Sequence, residues 1–259
     1  MANINITRLE PYTALADVYQ AAGFADASAA LAPRLLDMAF ELEWTGRSLL
    51  DLACGTGDLA CWFSEHGFRV MGVDSSQYML RFGAARAESA GVNAEFAVGD
   101  MRTFETKAPF ELVTCLGGSL NYLPAVRDLD SLFRVAKNAL APGKLFVFDL
   151  MTIHGLAQHE ATDRVVFDNG NDILIVLREA FSYETLVLTR QYTILRYTEK
   201  SGWQRAEETH TLRGYPVQAV TATAAKAGFS VLHTLTPDLV SAEGQSDPDQ
   251  LLFVAKREG

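Results

Sequence analysis

One stretch constrains this chain more than any other. Leu49-Leu50-Asp51-Leu52-Ala53-Cys54-Gly55-Thr56-Gly57 is an apolar strand that runs straight into a glycine turn. Open α/β sheets bind their ligands at the carboxyl ends of such strands. Glycine lets the backbone turn tightly there and come close to a ligand. The surrounding sequence agrees. Strand-like runs at 48–52, 68–73, 94–98, 110–116 and 144–150 alternate with helical runs at 59–66, 77–90 and 129–140. This alternation predicts right-handed crossovers and a parallel sheet covered on both faces.

The flanks read differently. The first 45 residues read as helical. Tyr12, Leu15, Val18, Tyr19 and Ala22 recur at helical spacing up to Gly23, and a second run covers 29–40. After Leu150 the alternation breaks. Four strand-like runs, 164–167, 173–181, 185–197 and 203–212, are separated by turn chemistry such as Asp168-Asn169-Gly170 and Lys200-Ser201-Gly202. They predict an antiparallel meander inserted in the α/β domain. A helix at 217–227 and strands at 229–235 and 250–255 then resume the pattern, with a polar loop at 242–249. The expected organisation is a helical lid (1–45), an α/β domain (46–160 and 214–259) and an inserted β cap (161–213).

Charge decides what the glycine turn binds. Gly55-x-Gly57-x-x-Ala60 formally satisfies the dinucleotide fingerprint, which would place a pyrophosphate on the helix amides. Asp51 at the strand end and Asp58 at the helix start would repel it. They would attract a cofactor bearing an ammonium group. Asp74, at the end of the next strand, suits either cofactor, since a carboxylate there accepts from ribose hydroxyls. Asp58 also reads simply as a helix-start carboxylate. The net charge of −10 disfavours nucleic acid as a partner. No apolar run is long enough to span a bilayer, and the start lacks the apolar core of a signal peptide. Cys54, Cys61 and Cys115 form no disulfide framework and no metal spacing, so a reduced, cytoplasmic protein without a metal is expected.

These residues resemble the class I S-adenosylmethionine-dependent methyltransferases. The segment 50–57 is similar to the family's first motif, and Gly72-Val73-Asp74-Ser75-Ser76 to its acidic second strand. Met79 stands where a residue packs on the adenosine, and Gly99-Asp100-Met101 where an acid meets the adenine amino group. Phe110-Glu111-Leu112-Val113-Thr114-Cys115 resembles the fourth strand, and Leu140-Ala141-Pro142-Gly143-Lys144 the turn before the fifth. The resemblance implies a Rossmann-like, doubly wound seven-stranded sheet with its last strand antiparallel. It implies S-adenosyl-L-methionine as cofactor, held by Asp51, Ala53, Cys54, Gly55, Gly57, Asp74, Ser75, Met79, Asp100, Met101, Cys115, Leu116 and Tyr122.

The acceptor is less legible. Methyl transfer from a sulfonium is an in-line displacement that needs positioning and desolvation, and a base only if the nucleophile arrives protonated. The segment 116–124 lacks the Asn/Asp-Pro-Pro-aromatic signature of nucleic-acid amine methyltransferases. The paired glutamates of the protein arginine enzymes and the metal-ligating acid of catechol-type enzymes are missing too. Its Ser119-x-Asn121-Tyr122 pattern resembles small-molecule N- and O-methyltransferases. Tyr19, Asn121 and His210 are therefore the candidate catalytic residues. Tyr12, Tyr19, Asn121, His210 and Arg213 are the candidate substrate contacts. The competing readings are core tyrosines, a polar turn and a solvent-facing strand histidine. The meander either covers the carboxyl edge of the sheet or pairs with a second copy in a homodimer. A nicotinamide-dependent oxidoreductase and a non-catalytic cofactor-binding protein remain as alternatives.

Overall fold

The computed structural model describes residues 6–158 and 163–259. The boundary expected at 160/161, and His159, lie outside them. Twelve strands among the described residues form two sheets. The larger has seven strands in the order β11-β12-β6-β5-β2-β3-β4. These are β2 (Ser48–Leu52), β3 (Arg69–Asp74), β4 (Ala94–Val98), β5 (Phe110–Cys115), β6 (Leu140–Met151), β11 (Phe229–Leu235) and β12 (Gln250–Arg257). β2 pairs in parallel with β3 and β5, and β5 with β6, while β12 runs antiparallel between β6 and β11. The expected α/β fold with an antiparallel last strand is present.

Side chains alternate across this sheet and bury both of its faces. On β6, Phe146, Phe148 and Leu150 pack with Phe253, with Phe133 of α4 (Val126–Ala139) and with Val220 of α6 (Val217–Ala227). Leu145 and Val147 face the other way. They pack with Leu35 of α1 (Asp26–Glu41) and Phe63 of α2 (Asp58–Glu65). Burial on both sides is why the central strands read as continuous apolar runs. α3 (Gln77–Ala90) packs on β4 and β3. Gly57, Gly72 and Gly83 surround the Phe96 ring there, and a Cβ on any of them would lie within 2.9 Å of a ring atom.

The second sheet is the inserted meander plus one strand from the amino-terminal end. Its order is β1-β10-β9-β8-β7, with β7 (Asp163–Asp168), β8 (Ile173–Ser182), β9 (Val187–Thr198) and β10 (Gly202–Arg213) antiparallel in succession. β1 (Ile6–Leu9) adds in parallel to β10, Ile6 opposite Arg205 and Leu9 opposite Glu208. The short helix α5 (Ile153–Ala157) leads from β6 towards this sheet.

The helical expectation for 6–25 is corrected here. After β1, residues 11–25 are turns around a single 3-10 turn at Leu15–Asp17. Pro11 has no N–H to give, and Tyr12 sits at φ +61°. The amides of Tyr12, Ala14 and Leu15 donate to the Glu208 carboxylate instead of to carbonyls one turn back. The 3.6-residue spacing is real, but it serves to pack Leu15 and Val18 against Ile175, Leu177, Tyr192 and Ile194 of the cap sheet.

Candidate active site

A cavity of about 920 Å³ opens where the glycine turn, the amino-terminal turns and the end of β10 meet. Its floor is built by the turn after β2. Ala53 (φ +57°), Gly55 (φ +58°) and Gly57 (φ +71°) all adopt the left-handed region. Only glycine does so freely, and Ala53 holds the conformation at a cost that marks a site. Asp51 and Asp74 flank this turn. Thr114 Oγ1 donates to Asp51 Oδ1 at 2.6 Å. Asp74 Oδ2 accepts the Gly55 amide at 2.9 Å and Oδ1 the Ser76 amide at 2.8 Å, so Asp74 shapes the turn it flanks.

Burial pushes the Asp51 carboxyl up to about 7, against the Thr114 bond and helped by the charge of Asp74. Burial raises Asp74 as well, opposed by the amides of Ser76, Gly55 and Ser75. No Lys or Arg pairs with either carboxylate among the described residues. Buried acids left without a cation fit a positively charged ligand. Glu10, Asp58 and Asp100 also line the cavity. Its one described arginine, Arg102, holds Asp100 with Nε at 2.9 and 3.0 Å and reaches Asp128 at 3.5 Å. A pyrophosphate would meet Asp51 and Asp74, which no described cation pairs, and an arginine already engaged by Asp100, so a dinucleotide does not fit. The ammonium and sulfonium of S-adenosylmethionine do.

The structure brings together most of the expected cofactor residues. Asp51, Ala53, Cys54, Gly55, Asp74 and Ser75 line the cavity at the turn, and Met79, Asp100, Met101, Leu116 and Tyr122 line the rest of it. Gly57 and Cys115 do not. Gly57 leaves room for the Phe96 ring and for the Gly83 backbone. Cys115 is wholly buried in the core against Met101, Sγ to Sδ 3.9 Å. The Asp100 carboxyl is held below its ordinary range by its bonds to Arg102, so this acid enters the site already paired. Asp58 is also engaged, by Gln20 at 2.8 Å, Thr56 at 2.6 Å and Arg86 at 3.0 Å. Gln20 thereby ties the amino-terminal turns to the glycine turn, a link that no sequence signal announced.

At the other end Tyr12, Tyr19 and Tyr122 line the cavity. Asn121, His210 and Arg213 stand outside its lining. Asn121 is fully buried and structural. Its Nδ2 donates to the carbonyls of Met151 and Arg213, both at 2.9 Å, and its Oδ1 accepts the Met151 amide at 2.8 Å. Arg213 is turned to the Pro124 carbonyl at 2.9 Å. His210 is 1% exposed, so it does not face solvent. Its Nδ1 lies 2.8 Å from the Tyr122 hydroxyl, which lies 2.7 Å from the Tyr12 hydroxyl, and its Nε2 lies 3.2 Å from Glu208 Oε2. It reaches the cavity only through Tyr122 and Tyr12. Asp149, at the end of β6, accepts the Gly117 and Gly118 amides at 3.0 and 2.7 Å and fixes that loop. Among the described residues no group of three or more potential metal ligands occurs.

Comparison with known proteins agrees with this geometry. A methyltransferase domain family matches residues 49–143. YqeM from Bacillus subtilis (strain 168), itself a provisional methyltransferase, is 29% identical over 210 residues, spanning 81% of this chain and 83% of its own. The crystal structure of an S-adenosylmethionine-dependent methyltransferase from Clostridium acetobutylicum ATCC 824 superposes with TM-score 0.82 at 22% identity, over 96% of this chain and 99% of that one, which shows the fold. The sugar N-methyltransferase KedS8 from Streptoalloteichus sp ATCC 53650 is similar at TM-score 0.74 and 25% identity, over 91% and 88% of the two chains. Fold and cavity thus define a Rossmann-like methyltransferase domain under a β cap. The matched domain and the fold support an S-adenosylmethionine-dependent methyltransferase of the class I type, with S-adenosylmethionine as its cofactor.

Proposed function

We propose that the enzyme methylates a small acceptor that carries no phosphate and is neutral or cationic, bound against Tyr12, Tyr19 and Tyr122. The charge of the cavity carries this reading. Five acids line it, and its one described arginine is bound to Asp100 and Asp128. A phosphate-bearing acceptor calls for free guanidinium or ammonium groups. KedS8 is a sugar N-methyltransferase by name, which favours nitrogen as the acceptor atom here.

The cofactor supplies a methyl group already activated by its sulfonium. The chain's own residues do the rest. Asp51 and Asp74 hold the donor's ammonium and ribose, and the turn 53–55 brings backbone close to it. Met79, Met101 and Asp100 take the adenosine end, while Leu116 and Tyr122 border the reacting end. The three tyrosines present aromatic surface to the acceptor and exclude water, which strengthens every polar contact inside. Burial pushes the Tyr19 phenol up to about 12, so it serves as a neutral hydrogen-bonding group.

No described helix is long and apolar enough to cross a membrane. The reading puts the enzyme in the cytoplasm with its three thiols free. A second copy could pair along an open edge of the cap sheet. The acid surplus of the whole chain leaves nucleic acid out. The test is methyl incorporation from labelled donor into a panel of alkylamines, arylamines, phenols and nucleotide-diphosphate sugars. Turnover on phosphate-free acceptors is expected. Turnover confined to nucleotide-diphosphate sugars would refute the reading.

A further inference from the structure

We infer that Tyr12, Tyr122, His210 and Glu208 form an inward proton path, and that the acceptor is therefore an amine that arrives as an ammonium ion and surrenders its proton to this path. The inference rests on the acceptor reading above and deepens it.

Three hydrogen bonds link the four residues, at 2.7, 2.8 and 3.2 Å, from the hydroxyl of a tyrosine that lines the cavity to a wholly buried carboxylate. The path takes its polarity from the inner end. Ionised Glu208 can only accept. It already takes the amides of Tyr12, Ala14 and Leu15, and it takes the Nε2 proton of His210. With Nδ1 as the acceptor at the His210 end of the path, Tyr122 donates to His210 and Tyr12 donates to Tyr122. The outer end, the Tyr12 oxygen, is left with lone pairs to receive a proton. Burial raises Glu208, but the bond from His210 and the three amides outweigh it and hold the carboxyl below its usual range. The phenols of Tyr12 and Tyr122 are raised, chiefly by burial, so both pass protons as neutral hydroxyls.

The step balances. A proton leaves the ammonium for the Tyr12 oxygen as the Tyr12 proton moves to Tyr122 and the Tyr122 proton to His210 Nδ1. The freed nitrogen pair forms the N–C bond. The S–C bond breaks with its pair kept by sulfur, giving a neutral thioether, and the positive charge remains on the methylated nitrogen. His210, now an imidazolium, is paired with Glu208 until its proton returns to water. The other groups packed around His210 are Tyr192, ring centroid 5.0 Å away, and Arg190, its register partner on β9. Arg190 is paired with Glu179 of β8 at 2.7 Å, and Arg164 of β7 also binds Glu179.

The test uses the full-length enzyme and an alkylamine that the wild type methylates in the panel. Tyr122→Phe keeps the ring packing and breaks the path, and His210→Gln breaks it one link further in. Expected for both is a kcat lower by about a hundredfold near neutral pH, with donor Kd unchanged. The deficit closes as the pH approaches the amine's own pKa, where solvent has already removed the proton. A deficit constant across pH is what a packing role produces, and it would overturn the inference, as would full activity in Tyr122→Phe. If the wild type methylates phenols and no amine, the choice of an ammonium acceptor falls. If it methylates only nucleotide-diphosphate sugars, the reading of the preceding section falls first.

Discussion

At the scale of single residues, Asp51 carries the sharpest consequence. Its folded pKa of about 7 lies above the value for an unfolded aspartate, so the native state without donor holds this proton the more tightly. Between the two pKa values, rising pH therefore removes stability from the free protein. A bound cation reverses the preference by selecting the ionised carboxylate. Donor affinity should rise with pH up to about 7 and then level off, and binding below that pH should release a proton. Calorimetry in buffers of different ionisation heat measures both, and a flat affinity profile would remove Asp51 from the donor site. Asp51→Asn should cost about 2–5 kcal/mol of donor binding and abolish the pH dependence. Asp51 and Asp74 were legible because each stands at the end of an apolar strand beside the glycine turn, where the large sheet opens to a ligand. That Asn121 and His210 stand outside the cavity lining was not legible, because residue type shows hydrogen-bonding capacity, not which side of a turn or strand supplies the partners.

At the scale of elements, the amino-terminal turns show what periodicity cannot settle. Tyr12, Leu15 and Val18 have the spacing of a helix face, and they do pack on one surface. Their backbone is held from outside by a carboxylate some two hundred residues later in the chain, which no local pattern encodes. Glu208→Ala should leave three amides, that of Leu15 buried, without their acceptor and lower stability by more than about 2 kcal/mol. Residues 11–25 should then be cut faster by protease than in the wild type. Urea unfolding and limited proteolysis read the two effects, and an unchanged midpoint would mean that water replaces the carboxylate. The meander, by contrast, was plain in the sequence. Its turns carry Asp168-Asn169-Gly170 and Ser201-Gly202, and Asn169 Oδ1 accepts the Asn171, Asp172 and Ile173 amides as an Asx turn does.

At the scale of the whole molecule, the cavity is shared between two sheets. The large sheet supplies Asp51 and Asp74, while the cap sheet supplies the Glu208 and His210 that stand behind Tyr12 and Tyr122. The alternation of strands and helices made the large sheet readable down to its reversed last strand. How the cap sits over it was not readable, because that depends on contacts between segments far apart in sequence, such as Asp17 with Arg81 and Arg196. A ligand bound between two such parts stabilises both. Donor at a hundredfold its Kd should add about 2.7 kcal/mol to the folding free energy. Asp74→Ala should give no donor-dependent shift in Tm while the protein still unfolds cooperatively. A shift equal to that of the wild type would take Asp74 out of the site.

The parallel pairing of β1 with β10 also ties together two distant parts of the chain. Ile6 meets Arg205, so β1 reaches its partner only by closing a loop of about two hundred residues. Contacts of such separation are slow to form. The wall of the chamber in which methyl transfer happens is therefore one that local order alone does not build.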